Sequence, residues 1–123
     1  KNGGFSNTRP WLPLDQRHLD LAVDKQRAEN QSTLTLTKQL IKLRQKHKAL
    51  NAGDLNFIHM DEQSIGFTRA VEGEVFLCVF NLSDTPAPLA IEALEKATPY
   101  FTLGDEKPKN TLQPFGAFIG KLD

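Results

Sequence analysis

Six consecutive apolar residues, at positions 75–80, form the longest apolar run in the sequence. A strand with one face in water would show an apolar residue only at every second position, so this run predicts a strand covered on both faces. It is far shorter than the roughly 20 apolar residues that span a bilayer as a helix. The run therefore predicts a central strand with protein packed on both sides.

Shorter stretches with a period of two residues surround this run. The stretch at 65–71 places four residues on one face: Ile65, Phe67, Arg69 and Val71. Further strands are predicted at 55–60, 87–91, 99–103 and 115–122. Glu72 and Gly73 suit a hairpin turn, and proline at 86, 88 and 99 favours edge strands. Short strands separated by frequent turns predict a mainly β fold, an antiparallel β-sandwich.

Residues 31–49 have the spacing of an amphipathic helix. Its apolar stripe consists of Leu34, Leu36, Leu40, Ile41 and Leu43. Asn30 or Ser32 can cap the N-terminus, and Gly53 marks the end. The stripe is wider than one sheet edge would cover, so we expect the helix to pack on another part of a larger protein or to self-associate.

Residues 1–30 predict a long irregular loop, in which Pro10 and Pro13 hold Trp11 in extended backbone. A connector of this length is long for a compact domain, so we expect it to lie on another part of a larger protein. The sequence opens on Lys1 without an initiator methionine or a signal peptide, which favours a piece of a longer chain.

The charge balance excludes some classes of partner. Fifteen Lys and Arg residues balance fifteen Asp and Glu residues, which argues against a general nucleic-acid binder or a binder of anionic membranes. The single cysteine, Cys78, excludes an internal disulfide and a cysteine-based zinc site, and it favours a reducing compartment. We expect no nucleic-acid partner and no membrane partner.

We predict no catalytic, cofactor-binding or metal-ligating residue in this chain. The three histidines do not have the spacing of metal ligands with one another or with Cys78. His47 is interpreted as a hydrogen-bonded packing residue, His59 as a solvated strand residue, and Cys78 as a buried apolar side chain rather than a nucleophile. His18 with Asp20 remains a weak alternative, as two metal ligands.

Carboxylates also come in pairs along the chain. The pairs are Asp61 with Glu62, Glu92 with Glu95, and Asp105 with Glu106. Each pair lies at a predicted turn, where we expect water to keep carboxyl pKa values near normal. The cationic stretch at 38–48 is interpreted as a solvated helix face rather than a phosphate site.

Several stretches resemble, in the same order, motifs of bacterial α-glucosidases and oligo-1,6-glucosidases of glycoside hydrolase family 13. They are NGGFS at 2–6 with PWLPL at 10–14, AVDKQ at 22–26, STL at 32–34 with LIKLR at 40–44, ALNAG at 49–53, and LCVFNLS at 77–83. The resemblance covers residues 1 to about 83. Lys48 departs from it, since many of those enzymes have proline there.

The resemblance implies a C-terminal fragment of such an enzyme. Residues 1–52 would be the tail of the catalytic (β/α)8 barrel, with a long loop at 1–30 and the last helix at 31–49. Residues 53–123 would be the C-terminal antiparallel β-domain. The family's nucleophile Asp, acid/base Glu and stabilising Asp would all precede residue 1, so no position of this chain is expected to be catalytic.

The resemblance also implies what the parent protein does. It would hydrolyse α-glucosidic bonds with retention, in the bacterial cytoplasm, and would need no cofactor. Its substrates would be α-glucosides such as malto-oligosaccharides, isomalto-oligosaccharides or sucrose, while this chain alone is expected to be inactive. Linkage specificity, oligomeric state and metal dependence of the parent stay open.

Two functional hypotheses follow. In the first, the chain is a non-catalytic part that packs on and stabilises the missing barrel. In the second, it is an independent β-sandwich module that binds carbohydrate or protein. A sugar-binding module would present a row of exposed aromatic side chains, and Trp11 and Tyr100 are far apart in the sequence, which favours the first hypothesis.

Overall fold

The structure is a computed structural model that describes residues 2, 6–104 and 107–122 of the 123-residue chain. It forms two compact units, Lys1–Leu43 and Arg44–Asp123. Among the described residues, no helix combines the length and the apolar character needed to cross a bilayer. Two sequence features, the Gly3–Phe5 part of the first motif and the Asp105–Glu106 pair, lie outside the described residues.

The first unit contains short helices within the predicted loop. A 3₁₀ turn forms at Gln16–Leu19, where Asp15 caps the turn by accepting a hydrogen bond from the Arg17 N–H. Helix α1 follows at Val23–Ala28. The prediction of an irregular loop over 1–30 is therefore wrong for these segments, because helices this short show no apolar period.

Helix α2, at Thr33–Lys46, begins at the cap that the sequence predicts. The Ser32 hydroxyl oxygen accepts a hydrogen bond from the Thr35 N–H at 3.2 Å, and the Gln26 side-chain oxygen accepts one from the Leu34 N–H at 2.9 Å. These bonds satisfy amides that have no acceptor inside the helix. No side chain of α2 is buried within its unit, so the apolar stripe stays partly exposed.

The structure divides the helix predicted at 31–49 into two. Helix α3 occupies Lys48–Ala52, and His47 between the helices has extended backbone, with φ −113° and ψ 116°. The prediction of a single helix is wrong because His47 bonds to a carboxylate far along the chain, which local spacing does not show. Lys48 thus occupies the first position of a helix, a position that suits proline.

The second unit is built on a five-stranded antiparallel sheet. Its strands are β1 at Asp54–Met60, β2 at Ser64–Val71, β3 at Glu74–Asn81, β5 at Ala97–Leu103 and β7 at Ala117–Leu122. Their order in the sheet is β1-β2-β3-β7-β5. The apolar run thus lies in the middle strand, as predicted. Gly73, with φ 77°, forms the predicted hairpin turn between β2 and β3.

A second, smaller layer completes the sandwich. Strands β4 at Ala87–Pro88 and β6 at Thr111–Leu112 pair as a two-stranded sheet, and the short helix α4 occupies Ala93–Lys96. The predicted strand at 87–91 is shorter than expected because its chain turns toward α4 after β4. The predicted mainly β fold, an antiparallel β-sandwich, is confirmed.

The core lies on one face of the five-stranded sheet. Leu77 and Val79 of β3 and Phe118 of β7 meet side chains from the second layer. Those side chains are Leu89, Ile91, Leu94 and Leu112, and Ala97 at the start of β5 belongs to the same cluster. Gly120 is needed beside them, because a Cβ atom there would lie 2.6 Å from the ring of Phe118.

Asn81 ends β3 and is 2% exposed. Its side-chain amide nitrogen lies 2.7 Å from the Thr85 carbonyl oxygen, 2.9 Å from that of Gln113 and 3.1 Å from that of Leu112. Its side-chain oxygen accepts hydrogen bonds from the Ser83 N–H at 2.9 Å and the Ser83 hydroxyl at 2.8 Å. The asparagine of the FNLS motif therefore ties the turn after β3 to the connection between β6 and β7.

We expect Asn81→Asp to destabilise the chain strongly at neutral pH. The substitution keeps the oxygen that Ser83 bonds, but it turns a buried carboxylate oxygen toward three carbonyl oxygens. The loss should be about 3 kcal/mol or more, measured by denaturant unfolding. Asn110→Asp, at an exposed position, is the isosteric control. Equal midpoints for the two variants would show that the side-chain bonds of Asn81 contribute little.

Candidate interaction surface

The second face of the five-stranded sheet, which we call the open face, is mostly apolar. Directly paired residues of an antiparallel sheet share a face, so the strand register identifies its members. They are Leu55, Phe57 and Met60 on β1, Ile65, Phe67, Arg69 and Val71 on β2, Glu74, Phe76, Cys78 and Phe80 on β3, Ala117, Ile119 and Lys121 on β7, and Thr98, Phe101 and Leu103 on β5. The predicted alternation along β2 is confirmed.

Exposure changes across the open face. Phe76 is fully buried, whereas Phe57 is 50% exposed and Met60 is 65% exposed. The rings of Phe57, Phe67 and Phe80 cross three strands, with successive centroid distances of 6.0 Å and 5.9 Å. A contiguous apolar surface of this kind is a candidate contact surface for another protein segment.

A histidine–carboxylate pair joins α3 to the sheet at one end of the open face. His47 Nδ1 donates a hydrogen bond to Glu74 Oε1 at 2.7 Å, and the Ala49 N–H donates one to Glu74 Oε2 at 2.9 Å. The bond from Ala49, followed by that from His47, holds the pKa of Glu74 below its usual value. The His47 ring also packs on Phe76 at 4.7 Å and on Tyr100 at 5.0 Å. The interpretation of His47 as a hydrogen-bonded packing residue is confirmed, but no local pattern of residues indicates that Glu74 is its partner.

Arg69 brings a positive charge into the open face. It lies between Leu55 on β1 and Phe76 on β3 and is partly buried. Its Nε atom is fully buried and has no hydrogen-bond partner among the described residues. Within that part of the chain, His47 Nε2 is the other buried side-chain atom without a partner. Buried polar atoms without partners are rare in folded proteins, so both need explanation.

The turn between β1 and β2 brings a serine, a histidine and an aspartate into contact. His59 Nε2 lies 2.8 Å from the Ser64 hydroxyl and 3.1 Å from Asp61 Oδ2. A catalytic triad requires the acid and the serine to contact opposite ring nitrogens, whereas both contact Nε2 in this turn. Ser64 is also 2% exposed. The cluster therefore closes the turn and does not form a nucleophile.

Two expectations for this turn are wrong. His59 is not a solvated strand residue, because Ser64 and Asp61 fold back onto its ring. The pKa of Asp61 is not near normal, because hydrogen bonds from the Gln63 and Ser64 N–H groups hold it below its usual value. Both effects come from turn geometry, which the order of polar residues does not specify.

The other candidate residues from the sequence do not form a site in the described structure. Cys78 is 3% exposed, and burial raises the pKa of its thiol to about 12, so it is a packed side chain as predicted. Asp20 bonds to Lys25 at 2.7 Å, and His18 is exposed. Across residues 2, 6–104 and 107–122, no three metal-binding side chains form a cluster.

Trp11 is the most exposed large apolar side chain of the first unit. It is 90% exposed and lies at an open cavity of about 600 Å³ formed by the segment at 6–18. Arg9, Asp15 and His18 also line the cavity. Trp11 and Tyr100 belong to different compact units.

The chain matches known proteins along nearly its whole length. Residues 1–53 match the family model described as alpha amylase, catalytic domain. The chain is 32% identical to a probable alpha-glucosidase of Rhizobium meliloti strain 1021, and the match covers 98% of this chain and 22% of that protein. It is 31% identical to probable oligo-1,6-glucosidase 3 of Bacillus subtilis strain 168, over 74% of this chain and 18% of that protein.

A solved structure shows the same fold. The chain superposes on the trehalulose synthase of Pseudomonas mesoacidophila MX-45 with a TM-score of 0.87 and 22% identity, covering 99% of this chain and 23% of that protein. The chain thus spans about a fifth of the length of the proteins that it matches.

We expect Glu74→Gln to lower Tm at neutral pH by about 3–5 °C, because the amide oxygen can accept only one of the two hydrogen bonds, without the charge, and the amide nitrogen faces the other donor. The folded pKa of Glu74 lies below the usual 4.5. Its contribution to stability is therefore present above about pH 4.5 and is lost as the pH falls through the lowered folded pKa.

Thermal unfolding between pH 7 and pH 3 measures this effect. The Tm difference between the wild type and Glu74→Gln should shrink as the pH falls. Glu72→Gln, at an exposed position of the neighbouring turn, is the control. A difference that stays constant with pH would contradict the role given to the Glu74 charge.

Proposed function

Because the chain belongs to the α-amylase family, glycoside hydrolase family 13, we propose that it is the non-catalytic C-terminal portion of an α-glucosidase. Residues 1–52 would end the catalytic barrel, and residues 53–123 would form the C-terminal β-domain. The match to the catalytic-domain model supports this boundary, since it ends at residue 53 and β1 begins at Asp54. The relatives named alpha-glucosidase and oligo-1,6-glucosidase support the reaction class.

The observation that carries the packing role is the open face. It is a broad apolar sheet surface on which Phe57 and Met60 remain half exposed or more. Burying an apolar side chain of this size contributes about 1.5–3 kcal/mol. We propose that the rest of the catalytic barrel covers this face. The matched relatives are long enough to contain that barrel, whereas this chain spans only about a fifth of their length. The chain would thereby stabilise the barrel.

The whole protein would hydrolyse α-glucosidic bonds with retention. Retaining glycosidases use two carboxyl groups about 5–5.5 Å apart, one as nucleophile and one as proton donor. Both would lie in the preceding barrel, and the substrates would be malto-oligosaccharides, isomalto-oligosaccharides or sucrose. The protein would act in the cytoplasm, and the chain alone would be inactive.

Turnover of an aryl α-glucoside, with and without an open-face variant, tests this proposal. We expect no turnover by the 123-residue chain and clear turnover by the longer protein that joins it to its preceding coding sequence. In that longer protein, Phe57→Asp should lower Tm by about 5 °C or more, because it places a carboxylate in an apolar contact. In the chain alone its effect should be small, since Phe57 is 50% exposed.

Thr111→Asp is the control for that experiment, because it adds the same charge at an exposed position of β6. Turnover by the chain alone would overturn the non-catalytic assignment. Equal Tm values for the two variants in the longer protein would overturn the packing role and favour an independent binding module.

We also propose that the chain alone self-associates through α2. Leu36, Leu40 and Leu43 are only partly buried within their unit, and Ile41 is 50% exposed. Light scattering at high concentration should give a mass above that of a monomer, and Leu40→Lys should reduce it. Lys38→Glu, at an exposed position of the same helix, should leave the mass unchanged. A monomeric wild-type chain would refute self-association.

A further inference from the structure

We propose that Arg69 is the polar anchor of the open face and that the catalytic barrel presents a carboxylate to its guanidinium. This inference rests on the proposed function, because it requires the barrel to cover the open face. It adds the chemistry of the partner: a single acidic side chain set among apolar ones.

The direct cross-strand neighbours of Arg69 do not compensate its charge. Its direct neighbours across the sheet are Leu55 and Phe76, which are both apolar. Its Nε is buried without a partner, and no hydrogen bond or ion pair to its side chain occurs among the described residues. A guanidinium has five N–H donors and no acceptor, so every partner it finds must be an acceptor.

The acidic residues near Arg69 in the sequence do not supply that acceptor. Glu74 lies on the open face, opposite Val71, but its two oxygens bond to His47 and to the Ala49 N–H rather than to Arg69. Asp54 pairs with Ala70, which places it on the opposite face of the sheet. Because neither acid bonds to Arg69, the counter-charge that we propose comes from outside the described residues.

If another segment covers the open face, the Arg69 guanidinium needs a partner from that segment. A segment that buries Phe57 and Phe67 would also remove water from Arg69, which lies beside Leu55 on the same face. A buried charge without a partner is strongly destabilising. A backbone carbonyl would satisfy one donor but not the charge, whereas a carboxylate does both and matches the planar guanidinium with two parallel bonds.

His47 also has a buried polar atom without a partner in the described part of the chain, and it lies near the same part of the open face as Arg69. Its Nδ1 is bonded to Glu74, and its buried Nε2 has no partner among the described residues. The His47 ring packs on Phe76, which is also the β3 neighbour of Arg69. The two residues that carry these atoms are thus both neighbours of the fully buried Phe76, Arg69 by strand pairing and His47 by ring contact, and we expect polar contacts from the covering segment around it.

Arg69→Met in the longer protein tests the anchor. The substitution keeps an apolar side chain of similar length but leaves the barrel carboxylate buried without its partner. Tm should fall by about 5 °C or more at pH 7, and Arg69→Lys should recover part of the loss. Lys109→Met, at an exposed position, is the matched control and should leave Tm unchanged.

The pH dependence of Tm for Arg69→Met distinguishes a bond between Arg69 and a barrel carboxylate from a role of Arg69 in packing alone. A carboxylate without its partner has a raised pKa in the folded state, so its protonation relieves the defect as the pH falls. The Tm gap between the wild type and Arg69→Met should therefore narrow from pH 7 toward pH 5. In the chain alone, where no carboxylate meets Arg69, the same substitution should not lower Tm.

Two results would overturn the inference. One is an Arg69→Met variant that matches Lys109→Met in the longer protein, and the other is a Tm gap that does not change with pH. Phe57→Asp distinguishes this failure from failure of the proposed function. If Phe57→Asp destabilises the longer protein and Arg69→Met does not, the barrel covers the open face without a carboxylate at Arg69.

Discussion

Strand β3 is buried from both sides, and the second unit is organised around it. Leu77 and Val79 face the core beneath the second layer, while Phe76 and Cys78 face the open side and are nearly inaccessible to water. At the end of the strand, Asn81 bonds to Thr85 and Gln113. A strand with two apolar faces requires cover on both. This chain covers one face fully, and it covers the other at Phe76, Cys78 and Ile119 but not at Phe57 and Met60 of β1.

The sequence could predict features that depend on neighbouring residues, but not features that depend on contacts between distant ones. The apolar run at 75–80 was enough to predict the central strand, because continuous apolar character is a local property. The break at His47 was not predictable, since it depends on a hydrogen bond to Glu74, which lies 27 positions along the chain. The hydrogen bond between Ser64 and His59 was likewise not predictable, because it depends on the geometry of the turn between β1 and β2.

The interaction surface was partly visible in the sequence. Alternation along β2 placed Arg69 in line with Ile65 and Phe67, which is an unusual place for a charge. The sequence could not show that Glu74 was already occupied by His47 and Ala49. Only the folded strands reveal that Arg69 has no partner within the described residues, and that fact makes its position informative about the missing segment.

Hydroxyl-radical footprinting of Phe57 and Met60 tests the central claim, that the preceding barrel covers the open face. Both side chains are at least half exposed in this chain, at 50% and 65%. Labelling of both should fall severalfold when the chain is joined to its preceding segment. Equal labelling of Phe57 and Met60 in the two proteins would contradict the claim.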